Sequence, residues 1–553
     1  MAGIKFSKKE FEKHFKLTDE LKEKISLFGT HFEGISEDGN DIELEILPNR
    51  PDLFSLQTFI KSFNAFLGKN KGLREYKLNK PEKDFQVKID SNTKNVRPFT
   101  ACAIIKDMKF DNEKIKEIVN IQEKIHMTLG RNRKKIAIGI YPLEKITLPI
   151  RLEARKPQDI KFIPLEMDKE LNALQILQSH PTGREYAKLL EGMEKFPVFV
   201  DAKNEILSMP PIINSHKTGK VTEQTNSIFI ECSGFDLSIL KKTLNILVAM
   251  FAEMGGKIYQ IDLVYGNSKE KIITPDLTPE KIKLNIDSAN KLLGLDLKDN
   301  EIKTCLEKMG YNYEKGIVSI PAWRTDIMHE VDIIEDIAIA YGYENLKPEL
   351  PSIATTGEIS EIEVLKKRIS EILAGLNMLE ISSYHLLTKK EAENINLKEK
   401  DMIEVENSKS EWKILRPNLI GTALNALKNN LDAEYPQRIF ELGRIFEKDK
   451  TGNSETGIHE AERLCVAIAS PNAGFTEIKQ ILEYIMRMLG KNKELILESA
   501  EDNEYFIQGR CAKIILSKEL LGYMGEIKPS ILSNLSIKMP LCALEINLER
   551  LLL

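Results

Sequence analysis

The chain has 553 residues, 42% of them hydrophobic and 29% charged, with a formal net charge of −5. That length exceeds what one hydrophobic core organises, so several domains are expected, and the composition is that of an ordinary globular protein. The negative balance excludes binding to nucleic acid by bulk electrostatics and leaves only a local basic face for such contacts.

The opening MAGIKFSKKEFEKHF has no apolar leader core, and no apolar run is long enough for a bilayer span, so a soluble, cytoplasmic chain is expected. Cys102, Cys232, Cys305, Cys465, Cys511 and Cys542 are scattered, with no CxxC spacing, and signal neither zinc nor disulfides.

In chain order, DIELEI (41–46) alternates as a strand, LPNRPDL is a proline-interrupted turn that Asn49, Arg50 and Asp52 could fix, and SLQTFIKSFNAFLG is a helix. The Lys- and Pro-bearing LREYKLNKPEKDF (73–85) closes a first domain over 1–85. A second segment, 86–270, mixes strand-like FTACAIIKDMKF, KKIAIGIYPL, KFPVFVDA and SIFIECSG with helices. Its clearest helix places Leu237, Leu240, Leu244, Leu247 and Phe251 on a packing stripe that Gly255 and Gly256 stop, and a strand-like KIYQIDLVYG (257–266) follows. Over 271–346 the order is strand, helix, helix, strand and an acidic helix, which fits a small winged-helix-like αβ domain. The last segment, 347–553, holds helices at EIEVLKKRISEILAGL and TALNALKNNL and strands at QRIFELGRIFEK, LCVAIAS and ALEINL. The fold class is therefore α+β and multidomain.

Three stretches invite chemistry. In PAWRTDIMHEVDIIEDIAIAYGYENL (321–346), Asp332, Glu335 and Asp336 share one helical face, apart from an apolar stripe of Ile327, Val331, Ile334 and Ala338. The face is either a solvated acidic surface favoured by the helix dipole, or a site for a hard cation such as Mg²⁺ or Ca²⁺. Asp326 can join it only if the helix begins later, with Thr325 or Asp326 as the N-cap. In SMPPIINSHKTGKVTEQTNSIFIECSG (208–234), HKTGK lacks the glycine and hydroxyl of a phosphate-binding loop, which leaves a polar turn carrying Asn214, Ser215, Thr218, Thr222 and Thr225. HMTLGRNRKKIAIG (126–139) gathers Arg131, Arg133, Lys134 and Lys135 beside a glycine turn, either a phosphate-facing loop or a solvated one.

LPNRPDLFSLQTFIKSFNAFLG, LGRNRKKIAIGIYPLEKI, SHPTGREYAKLLEGMEKFPVFVDAKNEILSMPPIINS and the acidic stretch, in that order, resemble the beta subunit of phenylalanyl-tRNA synthetase, of the shorter archaeal and eukaryotic type. The resemblance implies an alpha2 beta2 heterotetramer that joins phenylalanine to its tRNA with ATP as substrate. It places the charging site on the alpha subunit and gives this chain a C-terminal class II synthetase-like antiparallel sheet with helices that lacks the catalytic set. It implies Mg²⁺ ligands at Asp326, Asp332, Glu335 and Asp336. It also implies that 86–270 is an editing domain hydrolysing tyrosine misattached to this tRNA, with Ser208, Asn214 and Glu231 around the aminoacyl group and Arg131, Arg133 and Lys134 meeting tRNA phosphates. The competing reading is a non-enzymatic RNA-binding or assembly protein whose editing pocket has decayed; a free-standing metal hydrolase is disfavoured by the absence of clustered His ligands.

Overall fold

In the computed structural model, which describes residues 2–266, 271–352, 355–449, 452, 454–501 and 503–552, the alternation of Asp41–Ile46 sends Ile42, Leu44 and Ile46 into the core. This strand is the middle one of a three-stranded antiparallel sheet with Ala2–Ser7 and His31–Ile35. Arg50 pairs with both oxygens of Asp52, at 2.9 and 2.8 Å, in the 3₁₀ turn that Pro51 starts. Ser55 then caps the helix Leu56–Phe66 by accepting from the Gln57 and Thr58 N–H groups. The helix turns Phe59 and Phe63 onto Phe6, Phe11, Phe15 and Phe28.

Two larger sheets follow. One has five strands in the order Leu78–Asn79, Lys257–Tyr259, Phe99–Lys106, Ile228–Gly234, Ile136–Pro142. The other has seven, in the order Ile213–Asn214, Ile206–Met209, Phe196–Val200, Ile150–Arg155, Gln86–Ile89, Ile261–Tyr265, Lys271–Thr274. Val87, Leu152, Phe199 and Leu263 of the seven-stranded sheet meet Cys102, Ile104, Tyr141 and Phe229 of the five-stranded one in a shared core. The stretch 257–266, which reads as one strand, is two, because the chain leaves one sheet for the other at Gln260. Gln260 fixes that corner by donating from its backbone N–H to the Asn79 carbonyl and from Nε2 to the Pro275 carbonyl. The stripe Leu240, Leu244, Leu247 and Phe251 is buried along helix Leu237–Glu253, and Gly255 supplies the left-handed residue at its end, with φ +96°.

Over 280–341 the predicted order stands: Glu280–Lys283, helices Ile286–Leu293 and Asp299–Lys308, Ile317–Ile320 and helix Glu330–Tyr341, with Asn312–Glu314 completing a three-stranded sheet. The sequence boundary at 270 falls outside the described residues. All of this forms one unit, Met1–Leu350. Lys61 Nζ donates to Tyr76 Oη at 2.6 Å, Tyr76 Oη donates to Glu253 Oε1 at 2.6 Å, and Lys61 lies 4.2 Å from the Trp323 ring centroid, so contacts cross the boundaries read from the sequence.

The second unit, Pro351–Leu553, is built on a seven-stranded sheet. Its long strands Gln437–Lys448, Ile458–Ala469, Leu541–Asn547, Glu519–Ile527, Phe506–Leu516 and Leu495–Ser499 pair antiparallel, and Leu379–Glu380 adds a short parallel edge. Both faces are covered. Leu464, Val466, Ile468, Leu544 and Ile546 pack toward helices Glu361–Gly375 and Phe475–Met488. The alternate Cys465, Ala467, Ala469 and Ala543 pack toward helices Leu419–Lys428 and Pro529–Asn534. The chain is thus mixed α+β with more than one compact unit. All six cysteines are buried and free, and among the described residues no helix is long and apolar enough to cross a membrane.

Candidate active site between two sheets

Ser208 and Asn214 lie opposite each other in the antiparallel pair Ile206–Met209 and Ile213–Asn214, across a turn built on Pro210 and Pro211. Glu231 stands on Ile228–Gly234 in the other sheet, opposite Gly139 of Ile136–Pro142. The tertiary fold brings these three side chains to the wall of one cavity of about 420 Å³, a volume in the range of small-molecule sites.

Tyr141, absent from the sequence-based site, joins them. Its hydroxyl donates to Ser208 Oγ at 2.8 Å and lies 3.4 Å from Asn214 Oδ1 and 3.2 Å from Glu231 Oε1. Gly139 and Tyr141 are two apart on a strand and so share a face. The lack of a side chain at Gly139 is what admits the contact: a Cβ there would collide with the Tyr141 hydroxyl and come within 2.6 Å of Glu231 Oε1. Gly139→Ala is therefore expected to displace Tyr141 and abolish whatever hydrolysis the cavity supports; unchanged turnover in the purified variant would show that the contact is dispensable.

The electrostatics are unusual for a surface cleft. Burial pushes the Glu231 carboxyl up to about 8 against the opposing pull of Arg97, Tyr141 and Ser233, so the protonated form predominates at neutral pH, and its Oε2 has no hydrogen-bond partner among the described residues. Burial, then the neighbouring Glu231, also raises Tyr141, which keeps its proton. His126, 2% exposed, accepts the Ile138 N–H through Nε2 at 2.9 Å and has Nδ1 3.3 Å from Glu123 Oε1. Burial lowers its pKa, so it is a neutral prop of the wall.

Other hydroxyls of the polar turn serve the backbone. Thr218 reaches the Ile206 and Leu207 carbonyls, and Thr225 accepts from the Thr222 N–H. Of the basic loop, Arg131 and Lys134 are exposed, whereas the Arg133 guanidinium turns inward. Arg133 donates to the Pro211 and Ile212 carbonyls and to Glu123, and lies 4.5 Å from the Tyr186 ring centroid. It therefore forms part of the cavity wall.

The acidic helix begins at Glu330, with His329 as N-cap in place of Thr325 or Asp326. The start is later because Asp332 reaches back to accept the Met328 and His329 N–H groups at 2.7 and 2.8 Å. Asp326 thus lies on the approach, outside the helix. The buried Arg324 guanidinium bridges Asp326 at 2.7 Å and Asp336 at 2.8 Å, and Tyr311 also donates to Asp336. Glu335 is exposed and makes no ion pair among the described residues. The donor chemistry suits a hard cation, but the placement does not close on one: no group of three or more His, Cys, Asp or Glu among the described residues is arranged to hold a metal.

In the second unit, Arg416 and Glu441 are 1% and 2% exposed and pair at 2.6 Å. Glu441 also accepts from Ser383 and Thr422, and Arg416 donates to the Arg444 carbonyl. Gly443 leaves room for the guanidinium, since a Cβ there would lie 2.6 Å from Arg416 Nη2.

Comparison with known proteins matches three regions: residues 89–249 to the B3/4 domain, 282–343 to the tRNA synthetase B5 domain, and 346–548 to the phenylalanyl tRNA synthetase beta chain CLM domain. The phenylalanine–tRNA ligase beta subunit of Thermococcus sibiricus is 39% identical over 508 residues, 91% of this chain and 89% of that protein. That of Archaeoglobus fulgidus is 36% identical over 540 residues, 96% and 95% of the two. A crystal structure of an N-terminal fragment of the phenylalanyl-tRNA synthetase beta-subunit from Pyrococcus horikoshii superposes with a TM-score of 0.58 at 36% identity, covering 62% of this chain and 99% of that one. With three domain families in the same chain and close relatives along nearly its whole length, the chain belongs to the phenylalanine–tRNA ligase beta subunit family.

Proposed function

We propose that the cavity between the two sheets hydrolyses tyrosine wrongly esterified to the phenylalanine tRNA. The observation that carries this reading is the Tyr141 hydroxyl, which ties Ser208, Asn214 and Glu231 to one wall. A charging pocket that accepts phenylalanine rejects an added hydroxyl only weakly, so a second site that reads the hydroxyl supplies the missing discrimination. Glu231, buried with one carboxyl oxygen unpartnered, is suited to that reading, because a phenylalanyl ester leaves it unsatisfied. Water attacks the ester carbonyl carbon, the bond to the ribose oxygen breaks, and tyrosine leaves while the ribose oxygen regains a proton. Ser208 and Asn214 orient the ester, and the neighbouring ribose hydroxyl assists in the absence of an obvious protein base. Asn214→Ala in the assembled enzyme is expected to slow clearance of tyrosyl-tRNA about a hundredfold with phenylalanine charging unchanged; clearance at the wild-type rate would remove Asn214 from the site. A buried carboxyl with one oxygen left without a partner among the described residues is a feature that a decayed pocket would be expected to lose, which disfavours the non-enzymatic alternative.

In this reading the chain works in the cytoplasm as the beta subunit of an alpha2 beta2 ligase on the phenylalanine tRNA, with ATP consumed at the alpha subunit. Its four parts are 1–85, 86–270, 271–346 and 347–553. They serve as scaffold, editing domain, winged-helix-like domain and class II-like module without a catalytic set. The exposed Arg131 and Lys134 meet tRNA phosphates, and Arg133 shapes the pocket beside them. Mg²⁺ would be structural or interfacial: Asp332 and Glu335 stand free of arginine, whereas Asp326 and Asp336 would have to yield Arg324, and a bound ion would supply charge neutralisation only. Asp332→Ala is expected to lower Mg²⁺ retained by the assembled enzyme after dialysis without loss of fold by circular dichroism; equal retention would count against the site.

A further inference from the structure

A second, smaller cavity of about 220 Å³ opens on the far side of Arg133 and Pro211, which line both. Its other polar walls are Arg97, Lys134 and Lys188, and no acidic residue lines it. The charge is poorly offset. Arg97 is 2% exposed and spends its hydrogen bonds on Ser233, through Nε to the hydroxyl at 3.1 Å and Nη2 to the carbonyl at 2.6 Å, neither of which carries charge. Glu231, whose field reaches Arg97, lines the other cavity and makes no ion pair with it. Lys134 and Lys188 are exposed and make no ion pair among the described residues. Phe235, 51% exposed, closes the rim, with the Arg97 guanidinium 5.5 Å from its ring centroid.

One buried guanidinium without an ion pair, lining a cavity with two exposed lysines that make none, calls for an anionic ligand, and a half-exposed aromatic ring beside them calls for a flat one. A single-stranded nucleotide meets both demands, with its phosphate on the cations and its base on the ring. We propose that this cavity binds the nucleotide just 5′ of the terminal adenosine of the tRNA, its phosphodiester held by Arg97, Lys134 and Lys188 and its base stacked on Phe235. The inference rests on the editing reading for the identity of the RNA: the wall shared through Arg133 and Pro211 places this anion site next to the pocket that would hold the aminoacyl adenosine.

The test is binding of the RNA trinucleotide CCA to the full-length chain purified without its partner, so that no charging site competes. Phe235→Ala is expected to weaken binding about tenfold, and Phe235→Tyr to leave it near wild type. Lys188→Ala is expected to weaken binding and to reduce the slope of log affinity against log salt by about 0.7, as loss of one single-strand phosphate contact requires. Both positions are exposed, so the variants keep the fold. Trinucleotide affinity and salt slope unchanged in both alanine variants, or no binding by the wild type, would overturn the proposal. Hydrolysis is scored separately with 3′-tyrosyl-adenosine, which has no phosphate. If the wild type leaves that ester intact while trinucleotide binding still depends on Phe235, the editing reading fails and the nucleotide site stands. If the ester is cleaved while trinucleotide binding ignores Phe235 and Lys188, the reverse holds.

Discussion

Glu231→Gln is expected to be more stable than the wild type by a margin that grows as the pH rises, while Glu231→Ala is expected, on the editing reading proposed above, to remove discrimination between tyrosyl and phenylalanyl esters. The carboxyl, ordinarily near 4.5, is pushed up to about 8 by burial. Between those values the unfolded chain gives up a proton that the native state keeps, so wild-type stability falls as the pH climbs from about 4.5 to about 8. Glutamine has the same shape and nothing to ionise. Its advantage should be small near pH 4.5 and grow to a few kcal/mol at pH 8, read as the shift in urea midpoint across that range. A constant difference across the range would show that Glu231 titrates normally. In the assembled enzyme, Glu231→Ala should slow hydrolysis of tyrosyl-tRNA at least a hundredfold and leave the slow hydrolysis of phenylalanyl-tRNA unchanged, because only the tyrosyl hydroxyl has lost a partner. Equal losses on both esters would assign Glu231 to the scaffold. A carboxyl whose isosteric replacement stabilises the fold and whose truncation removes selectivity is the pattern expected where function holds a group in an unfavourable environment.

Arg416→Met is expected to be among the most damaging single changes in the second unit, at about 3–5 kcal/mol, because it leaves Glu441 buried and facing no cation. The double variant Arg416→Met/Glu441→Leu should recover most of that loss, since two apolar side chains need no counter-charge in the same space. Unfolding of both variants, followed by a probe in the second unit, measures the coupling directly. Additive losses would mean that the two residues act through their separate bonds to Arg444, Ser383 and Thr422 rather than through each other.

The local patterns carried far. Alternation at 41–46, the leucine stripe at 240–251 and the helix–helix–strand order of 286–320 are matters of neighbouring residues, and the side-chain period states them directly. Where the reading missed, a longer-range bond intervened. The acidic helix is the local exception: it starts later than a cap at Thr325 or Asp326 would place it because Asp332 reaches back to accept the Met328 and His329 N–H groups. The strand at 257 breaks because Gln260 is bound to Asn79 and Pro275. Arg133, read as one of several loop cations, is drawn inward by Pro211, Ile212 and Glu123, none of them near it in sequence.

The candidate site divides the same way. Ser208, Asn214 and Glu231 could be singled out only through resemblance to a family, since on their own they read as a polar turn and a strand carboxylate. Tyr141 had a faint signal, two residues from a glycine in a buried strand, but nothing local says that its hydroxyl crosses to another sheet. By itself the sequence determined the family and many of the elements in their order, because periodicity and long motifs are written in adjacent residues, but not the strands Leu495–Ser499, Phe506–Leu516 and Glu519–Ile527. Only the tertiary structure decided which polar groups meet and which charges go unpaired, because packing two sheets face to face joins residues from 67 to 172 positions apart and removes the water that would otherwise have satisfied them.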